Sequence, residues 1–408
     1  MQPEQILGPE WKRGINGKVS SVYMTPDASF VAAGSGDHDV YLMNFSGKLI
    51  WASTTGDDVQ YVKASDNGSC VASYSKDNIV SYFDKLGNLA WTCRIAKRIN
   101  SMDMSPDGTL VVTGSEDGLV RAFSDKGQIL WTKDCQKPVN SVAISSSGSL
   151  IVAGSSNKKA YMLTRSGDVR WEFIAQSPVL YVYTSSDGEF SYALEFTNLT
   201  TNAFHEISDR GGELSCNTYS QRIIDISITD DGRYVAIGFS NGFVYFTDKN
   251  GNLLWRQSLT APIASIKVSC DGSLVFATTA DKMLHVLNKK GSELLSHRFD
   301  GPTDSIGASF EGDYVAVGVA DTVYMFAMGK LVEYVVREQV KISKLIKADE
   351  TRRLKPEAGS DRYVPNTGLP DNGVNKCSIC GSPILSSKTL CNYCEMMQRR
   401  TGTTGKTR

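Results

Sequence analysis

Four cysteines near the end of the chain have a spacing that can bind a metal ion. They form two Cys-x-x-Cys pairs, Cys377/Cys380 and Cys391/Cys394, with ten residues between the pairs. Each pair can fold back so that both thiolates contact one ion, and two pairs supply the four sulfur ligands of tetrahedral zinc. Because so short a segment has almost no core, the metal must contribute much of its folding free energy. The sequence therefore predicts a structural zinc ribbon over residues 377–398, with one zinc ion per chain.

Two other chemistries of Cys-x-x-Cys fit this pattern less well. A redox motif needs one such pair at the start of a helix in a βαβ setting, which this segment lacks. A catalytic zinc keeps an open coordination position, which four thiolates would fill. The chain ends in Gly405-Lys406-Thr407, like a phosphate-binding loop, but Arg400 stands where that loop requires glycine. We interpret residues 399–408 as a flexible basic tail.

The segments before the ribbon predict a helix and a linker. Residues 331–355 place valines and leucines on one side of a helix and lysines among its polar positions, and Pro356 would end it. Residues 356–376 contain prolines and glycines without an apolar period, which is typical of a linker. Residues 334–408 hold 14 Lys and Arg against 7 Asp and Glu, so a basic tail follows a mildly acidic chain.

The first 330 residues repeat one unit about every 40 residues. Four apolar runs separated by turn residues make up the unit, and eight copies can be counted. A tryptophan follows a glycine by four residues at Trp51, Trp91, Trp131, Trp171 and Trp255. A turn glycine recurs at Gly68, Gly108, Gly148, Gly188, Gly232, Gly272 and Gly312, with Ala28 in its place in the first copy.

This repeat predicts an all-β fold, an eight-bladed β-propeller over residues 1–330. A lone four-stranded sheet cannot cover both its faces, but sheets packed around an axis cover each other. We predict that the repeated tryptophans occupy equivalent, buried positions between blades. A strand within residues 5–13 is expected to complete the last blade and close the ring, with residues 329–336 as the alternative.

The fifth copy departs most from the repeat. It contains four extra residues, and Cys216 is assigned to its tryptophan position. One interpretation is that the sequence of this copy has drifted and its hairpin is longer. The functional interpretation is that the stretch forms a loop that contacts a partner. His205, Glu206 and Asp209 lie in this stretch, but as a sequence pattern they are too few to predict a catalytic or metal site.

The repeat resembles known propeller families. Gly-x-x-x-Trp with an aspartate three residues before the glycine, as at Asp84 and Asp248, is similar to the tryptophan-docking repeats of quinoprotein-dehydrogenase-like propellers. The turn over residues 105–108 resembles WD repeats equally well. The resemblance implies the fold. Enzymes of the quinoprotein group hold their cofactor against calcium, often beside a vicinal disulfide, but this chain has no adjacent cysteines and no ligands that can be matched.

Composition and the resemblance together favour a binding protein. With 41% hydrophobic and 21% charged residues, no run of 18 apolar residues and no export signal, the chain is expected to be cytoplasmic and not membrane-bound. The missing signal also argues against the exported assembly lipoproteins of the quinoprotein-like group. Single cysteines scattered among the repeats agree with a reducing compartment.

We therefore predict a non-catalytic scaffold or adaptor. Its propeller would dock a protein partner, and its tethered ribbon would contact a second site. One alternative is a nucleic-acid- or ribosome-associated factor that uses the basic tail for weak phosphate contacts. A less favoured alternative is a quinoprotein-like oxidoreductase, for which the sequence offers no set of site residues.

Overall fold

The computed structural model describes residues 8–196, 201–259 and 261–329, which contain 32 β-strands. These strands form eight antiparallel sheets of four strands, so the predicted eight-bladed propeller is confirmed. Blades 1 to 4 are β2 Val19–Met24, β3 Phe30–Ser35, β4 Asp39–Asn44, β5 Leu49–Thr54; β6 Val59–Ala64, β7 Cys70–Ser75, β8 Ile79–Asp84, β9 Leu89–Arg94; β10 Ile99–Met104, β11 Leu110–Ser115, β12 Leu119–Ser124, β13 Ile129–Asp134; and β14 Val139–Ile144, β15 Leu150–Ser155, β16 Lys159–Thr164, β17 Val169–Ile174.

The remaining blades follow the same order from the axis outward. Blades 5 to 8 are β18 Val179–Thr184, β19 Phe190–Phe196, β20 Asn202–Ser208, β21 Glu213–Tyr219; β22 Ile223–Ile228, β23 Tyr234–Phe239, β24 Phe243–Asp248, β25 Leu253–Ser258; β26 Ile263–Val268, β27 Leu274–Thr279, β28 Met283–Asn288, β29 Glu293–Arg298; and β30 Thr303–Ala308, β31 Tyr314–Val319, β32 Thr322–Ala327, with β1 Trp11–Gly14. No helix among the described residues has the length and hydropathy of a membrane span.

Turn chemistry explains why each blade folds as a meander. Between β10 and β11, Asp107 Oδ1 accepts hydrogen bonds from Ser105 Oγ and from Thr109 N, which closes the turn. Gly108 follows at a φ of +73°, a conformation that glycine adopts without steric cost. Ala28 adopts a φ of +60° at the same position of blade 1, so it replaces the turn glycine as predicted.

The hydrophobic core is distributed over the ring. Eight clusters of buried side chains lie between neighbouring blades, one at each interface. The cluster between blades 3 and 4, for example, joins Val112 and Ala122 to Val142 and Ile151. Each sheet therefore buries both faces against its neighbours, and the stability of one blade depends on the next.

The N-terminal strand closes the ring. Trp11 pairs with Met325 and Gly14 pairs with Thr322, so β1 is the outer strand of blade 8. The interface between blades 8 and 1 then joins residues from the two ends of the propeller, such as Val19 and Val323, in one cluster. The prediction of closure by the N-terminal strand is confirmed. The alternative segment, residues 329–336, lies outside the described residues except for Gly329.

Each tryptophan packs on a glycine of the following blade, the one at the position of the glycine in Gly-x-x-x-Trp. Trp91 packs on Gly127, where a methyl group in place of the glycine hydrogen would lie 2.7 Å from the indole Cγ. Its Nε1 donates a hydrogen bond to Asp125 O in the same turn at 3.1 Å. The equivalent bond, to a carbonyl 34 residues later, is made by Trp11, Trp131 and Trp255. The glycine and the tryptophan of the Gly-x-x-x-Trp repeat are therefore the two sides of one contact, which recurs between successive blades.

The prediction of full burial for these tryptophans is only partly correct. All five occupy equivalent positions on the outer strands, but only Trp51 and Trp171 are buried, at 7% and 6% exposure. Trp91, Trp131 and Trp255 are half-buried. The reason is that the outer strand lies at the circumference, so the indole covers the next turn with one face while its edge reaches the surface.

The docking contact gives a direct test. We expect Gly127→Ala to lower the free energy of unfolding by about 2 kcal/mol, because the alanine would be strained at positive φ and would displace Trp91. The matched control is Gly36→Ala, where φ is not positive and the nearest heavy atom would be 3.7 Å away. Denaturant unfolding of both variants measures the difference, and equal stabilities would contradict the docking role.

Candidate functional site

The structure does not describe the part of the chain that contains the predicted zinc ligands. Cys377, Cys380, Cys391 and Cys394 lie outside the described residues, and so do the predicted helix over residues 331–355, the linker over 356–376 and the basic tail over 399–408. The surfaces and polar clusters of the propeller are therefore the candidate sites that can be built from contacts.

The inner strands surround the axis, and each leaves backbone N–H groups unpaired on one edge. Side chains from the neighbouring blade satisfy them: Val22 N donates to Ser305 Oγ at 2.8 Å, and Ile266 N donates to Asp225 Oδ2 at 2.9 Å. The same contact recurs from Val62 to Ser21, Val142 to Ser101, Val182 to Ser141 and Val268 to Ser227. These axial hydroxyl and carboxylate groups are therefore used to join the blades.

One ion pair lies among these axial groups. Lys63 Nζ donates to Asp103 Oδ1 at 2.5 Å, and the side chains are 22% and 11% exposed. Asp103 also accepts from Ile144 N at 2.7 Å and thereby links blades 2, 3 and 4. Burial by itself lowers the pKa of Lys63, but Asp103, Tyr23 and Tyr61 together outweigh it, and the net pKa lies above the usual lysine range. Lys63 is therefore a permanent cation at neutral pH.

A cavity of about 380 Å³ opens at the mouth of the axial channel. Its lining combines apolar and charged side chains, among them Tyr23, Lys63, Asp66, Ile144 and Phe310. Ser146 Oγ donates to Asp230 Oδ1 at 2.8 Å and thereby connects the inner turns of blades 4 and 6. The cavity has the size and mixed polarity of a pocket for one side chain or a short segment of a ligand.

Exposed apolar residues recur at the start of the outer strands. We call the following residues the apolar rim: Ile50, Leu89, Ile129, Leu130, Val169, Leu214, Leu253 and Leu254, which are 41% to 54% exposed. A bulge in the outer strand of each of blades 1 to 7 explains the pairs. In β13 the register skips Leu130, so Ile129 and Leu130 both reach the surface. Single exposed apolar residues are ordinary, but their recurrence in six consecutive blades is not.

Blade 5 lacks the tryptophan contact, and the structure corrects its alignment. In β21 the residue that follows the bulge is Ser215, which pairs with Glu206. In β17 of blade 4 the residue that follows the bulge is Trp171. The prediction that Cys216 fills the tryptophan position is therefore wrong by one residue. Consecutive glycines at 211 and 212 caused the error, because Gly211 is the one that receives Trp171. Asn217 instead reaches Gly251 of the next blade.

The four extra residues of this copy do not form one long loop. β19, β20 and β21 each have seven residues, where the equivalent strands of blades 1 to 4 have six. The longer strands bring polar side chains into the sheet. Glu206 is buried, accepts from Ser215 Oγ at 3.0 Å and leaves its Oε1 without a hydrogen bond. Burial raises the pKa of Glu206.

A polar cluster lies on the other face of blade 5. We call Glu195, His205, Glu213 and Cys216 the blade 5 cluster. His205 Nδ1 lies 3.0 Å from Glu213 Oε1, and its Nε2 lies 3.4 Å from Glu195 Oε1. Cys216 is the direct cross-strand partner of His205. Glu206 and Asp209, the sequence neighbours of His205, are not in the cluster. The alternation of strand residues and the cross-strand register select its members, and the linear sequence does not show either.

Blade 7 carries the matched arrangement without the same chemistry. His285 Nδ1 lies 2.7 Å from Glu293 Oε1, and its Nε2 lies 3.4 Å from the hydroxyl of Thr279. Thr279 and Ser296 occupy the positions of Glu195 and Cys216. The Thr279 hydroxyl also donates to Asp281 Oδ1 at 2.5 Å, so His285 contacts one carboxylate and one hydroxyl oxygen where His205 contacts two carboxylates. Blade 5 replaces the two hydroxyl residues by a carboxylate and a thiol.

Comparison with known proteins identifies the propeller. The sequence profile of the family described as outer membrane protein assembly factor BamB, of the PQQ_2 type, matches residues 36–179 and 240–336, more than half of the chain. The chain belongs to this family. The resemblance to quinoprotein-like propellers is therefore confirmed at the level of the repeat.

The BamB-type match leaves a gap that includes most of blade 5. Residues 180–239, which contain β19, β20 and β21 of blade 5 and β22 and β23 of blade 6, fall between the two matched segments. Among curated proteins, none matches the chain significantly. The crystal structure of a computationally designed protein, Ika8, aligns with a TM-score of 0.66 at 17% identity and covers 77% of this chain and 98% of the designed one. At that identity the likeness supports the fold alone.

Proposed function

We propose that this BamB-type propeller is a non-catalytic protein-interaction scaffold and that the apolar rim is its docking surface. The observation that carries the proposal is the recurrence of exposed Leu, Ile and Val at the same positions of six outer strands. Burying one such side chain against a partner contributes roughly 1.5 to 3 kcal/mol if the burial is complete. Several blades acting together can supply the apolar centre that a stable interface needs.

The backbone of the rim supports the same role. The outer strands, such as β13 and β25, pair on one side only, so the other side presents free N–H and C=O groups. An extended segment of a partner can add to such an edge, with main-chain hydrogen bonds for affinity and apolar pockets for specificity. The family description, an assembly factor, is in keeping with a binding role. We propose an extended apolar segment of a cytoplasmic protein as the occupant.

The zinc ribbon is proposed as a second contact. A ribbon held by Cys377, Cys380, Cys391 and Cys394 would give a bound partner a second binding surface on the same chain, because the linker over residues 356–376 would tether it. The alternative, a nucleic-acid-associated factor, draws support from the basic composition of residues 334–408. The two proposals differ in their response to salt, since phosphate contacts release counterions and apolar burial does not.

The test is a set of rim variants in the full-length chain. Replacing Ile129, Leu130, Leu253 and Leu254 by serine is expected to lower recovery of the specific partner at least tenfold, because apolar anchors dominate such interfaces. The matched control replaces Thr132 and Arg256, exposed residues of the same strands, by serine. Affinity purification with quantitative mass spectrometry measures recovery.

A second measurement separates the alternative. RNA and DNA are titrated into the same proteins at about 50 mM and 200 mM salt. Equal partner recovery by rim and control variants, together with tight and strongly salt-dependent nucleic-acid binding that is lost on truncation at Lys376, would replace the scaffold proposal by the nucleic-acid one.

A further inference from the structure

The blade 5 cluster has a charge arrangement that a neutral histidine does not satisfy. Both ring nitrogens of His205 face carboxylate oxygens, Glu213 Oε1 at 3.0 Å and Glu195 Oε1 at 3.4 Å. A neutral imidazole carries one N–H, so it can donate to only one of them, and its other lone pair then faces a negative oxygen. His205 is 7% exposed, and its Nε2 has no hydrogen bond. Both contacts are satisfied only if the ring carries a second N–H or if a metal ion replaces the proton on one nitrogen.

No lysine or arginine among the described residues pairs with the two glutamates. Glu195 and Glu213 both lie within ion-pair distance of His205. A different group of potential ligands joins an exposed His38 to the half-buried Asp57 and Asp58. It already has a cation, since Lys76 Nζ lies 2.6 Å from Asp58 Oδ2. The blade 5 cluster differs from that group in its buried imidazole and its missing cation.

The ligand types of the cluster indicate which cation fits. One nitrogen of His205, one carboxylate oxygen of Glu213 and the Sγ of Cys216 all lie within 4.8 Å of one another. Imidazole, carboxylate and thiolate are the ligands of zinc, at bond lengths of about 2.0 to 2.3 Å.

We propose that the blade 5 cluster is a Zn²⁺ site with His205 Nδ1, Glu213 and Cys216 as ligands. Glu195 is the positioning residue, since a carboxylate that accepts the second N–H of a zinc-bound histidine fixes its tautomer. Ser177 N donates to Glu195 Oε2 at 2.7 Å and holds this carboxylate in place. Three protein ligands leave one position for water or for a ligand atom of a partner. Cys216 releases its proton when the ion binds.

Blade 7 supports the distinction between a zinc ligand and a structural histidine. His285 keeps the same position and the same glutamate contact as His205, but Thr279 and Ser296 stand where zinc would need the orienting carboxylate and the sulfur. The sequence differences between the two blades therefore fall on the residues that metal binding uses. Blade 7 serves as the internal control.

The experiment measures zinc content and Co²⁺ binding of the full-length chain. Cys216→Ser is expected to remove one zinc per chain relative to wild type, whatever the zinc content of the predicted ribbon. In a chain with serine at Cys377, Cys380, Cys391 and Cys394, added Co²⁺ should give one thiolate-to-cobalt absorption band. Cys216→Ser should abolish that band, and Glu195→Gln should weaken Co²⁺ binding about 10- to 100-fold.

Two controls keep the result specific. Cys93→Ser, a half-buried cysteine outside the cluster, should leave zinc content and the cobalt band unchanged. Cys216 is exposed, so its replacement by serine should not alter the circular dichroism of the propeller. Equal zinc content of wild type and Cys216→Ser, or a ribbon-free chain that shows no thiolate-to-cobalt band, would overturn the zinc assignment.

Discussion

Deletion of residues 1–14 is expected to lower the free energy of unfolding of the propeller by on the order of 4 kcal/mol. The deletion removes β1, its backbone pairing with β32 and the contact of Trp11 with Gly47. Losing the indole contact costs roughly 2 kcal/mol, and each strand hydrogen bond adds about 1 kcal/mol. The edge of β32 would also become available for pairing with other chains, so aggregation on heating should increase.

The control for this deletion is removal of residues 1–7. That variant keeps β1 and the bond from Glu10 N to Met325 O, so its stability should equal that of the full chain. Thermal and denaturant unfolding of the three proteins, followed by circular dichroism, measure the differences. If the chain without residues 1–14 unfolded like the control, closure by β1 would contribute nothing and the ring would depend on other contacts.

The architecture was predictable from the sequence because it depends on repeated local chemistry. A turn glycine at positive φ, as at Gly108, and an indole that docks on a glycine, as at Trp91, recur in most copies. Ring closure was predictable for the same reason, since Trp11 is one more member of the tryptophan series. The prediction of full burial was wrong for Trp91, Trp131 and Trp255, because an indole on the outermost strand covers the next turn with one face while its edge reaches the surface.

The polar cluster could not be predicted because cross-strand register creates it. Glu195 and His205 are ten residues apart in the chain and meet diagonally across β19 and β20. Consecutive glycines also concealed the bulge that places Ser215, and not Cys216, in the tryptophan position. A repeat identifies what its copies share, whereas function in this chain is proposed where a copy differs. Blade 5 lies almost entirely in the gap of the family match, together with β22 and β23 of blade 6.

The axial ion pair gives the second large expected effect. Asp103→Ala should lower the free energy of unfolding by about 3 kcal/mol, because it leaves the largely buried Lys63 without its counter-ion and Ile144 N without its acceptor. The double variant Lys63→Met/Asp103→Ala should recover part of this loss, since the unpaired charge is gone. Asp103→Asn, which keeps an acceptor for Ile144 N, should be intermediate.

The pH dependence of this contribution follows from the direction of the lysine shift. The pKa of Lys63 is raised in the folded protein, so the pair stabilises the fold fully below the ordinary lysine pKa and loses its effect only as pH rises through the folded value. The difference in stability between wild type and Lys63→Met should therefore be constant from about pH 6 to pH 9. A difference that disappears within this range, or an Asp103→Ala protein as stable as wild type, would show that the pair contributes nothing to the joining of blades 2, 3 and 4.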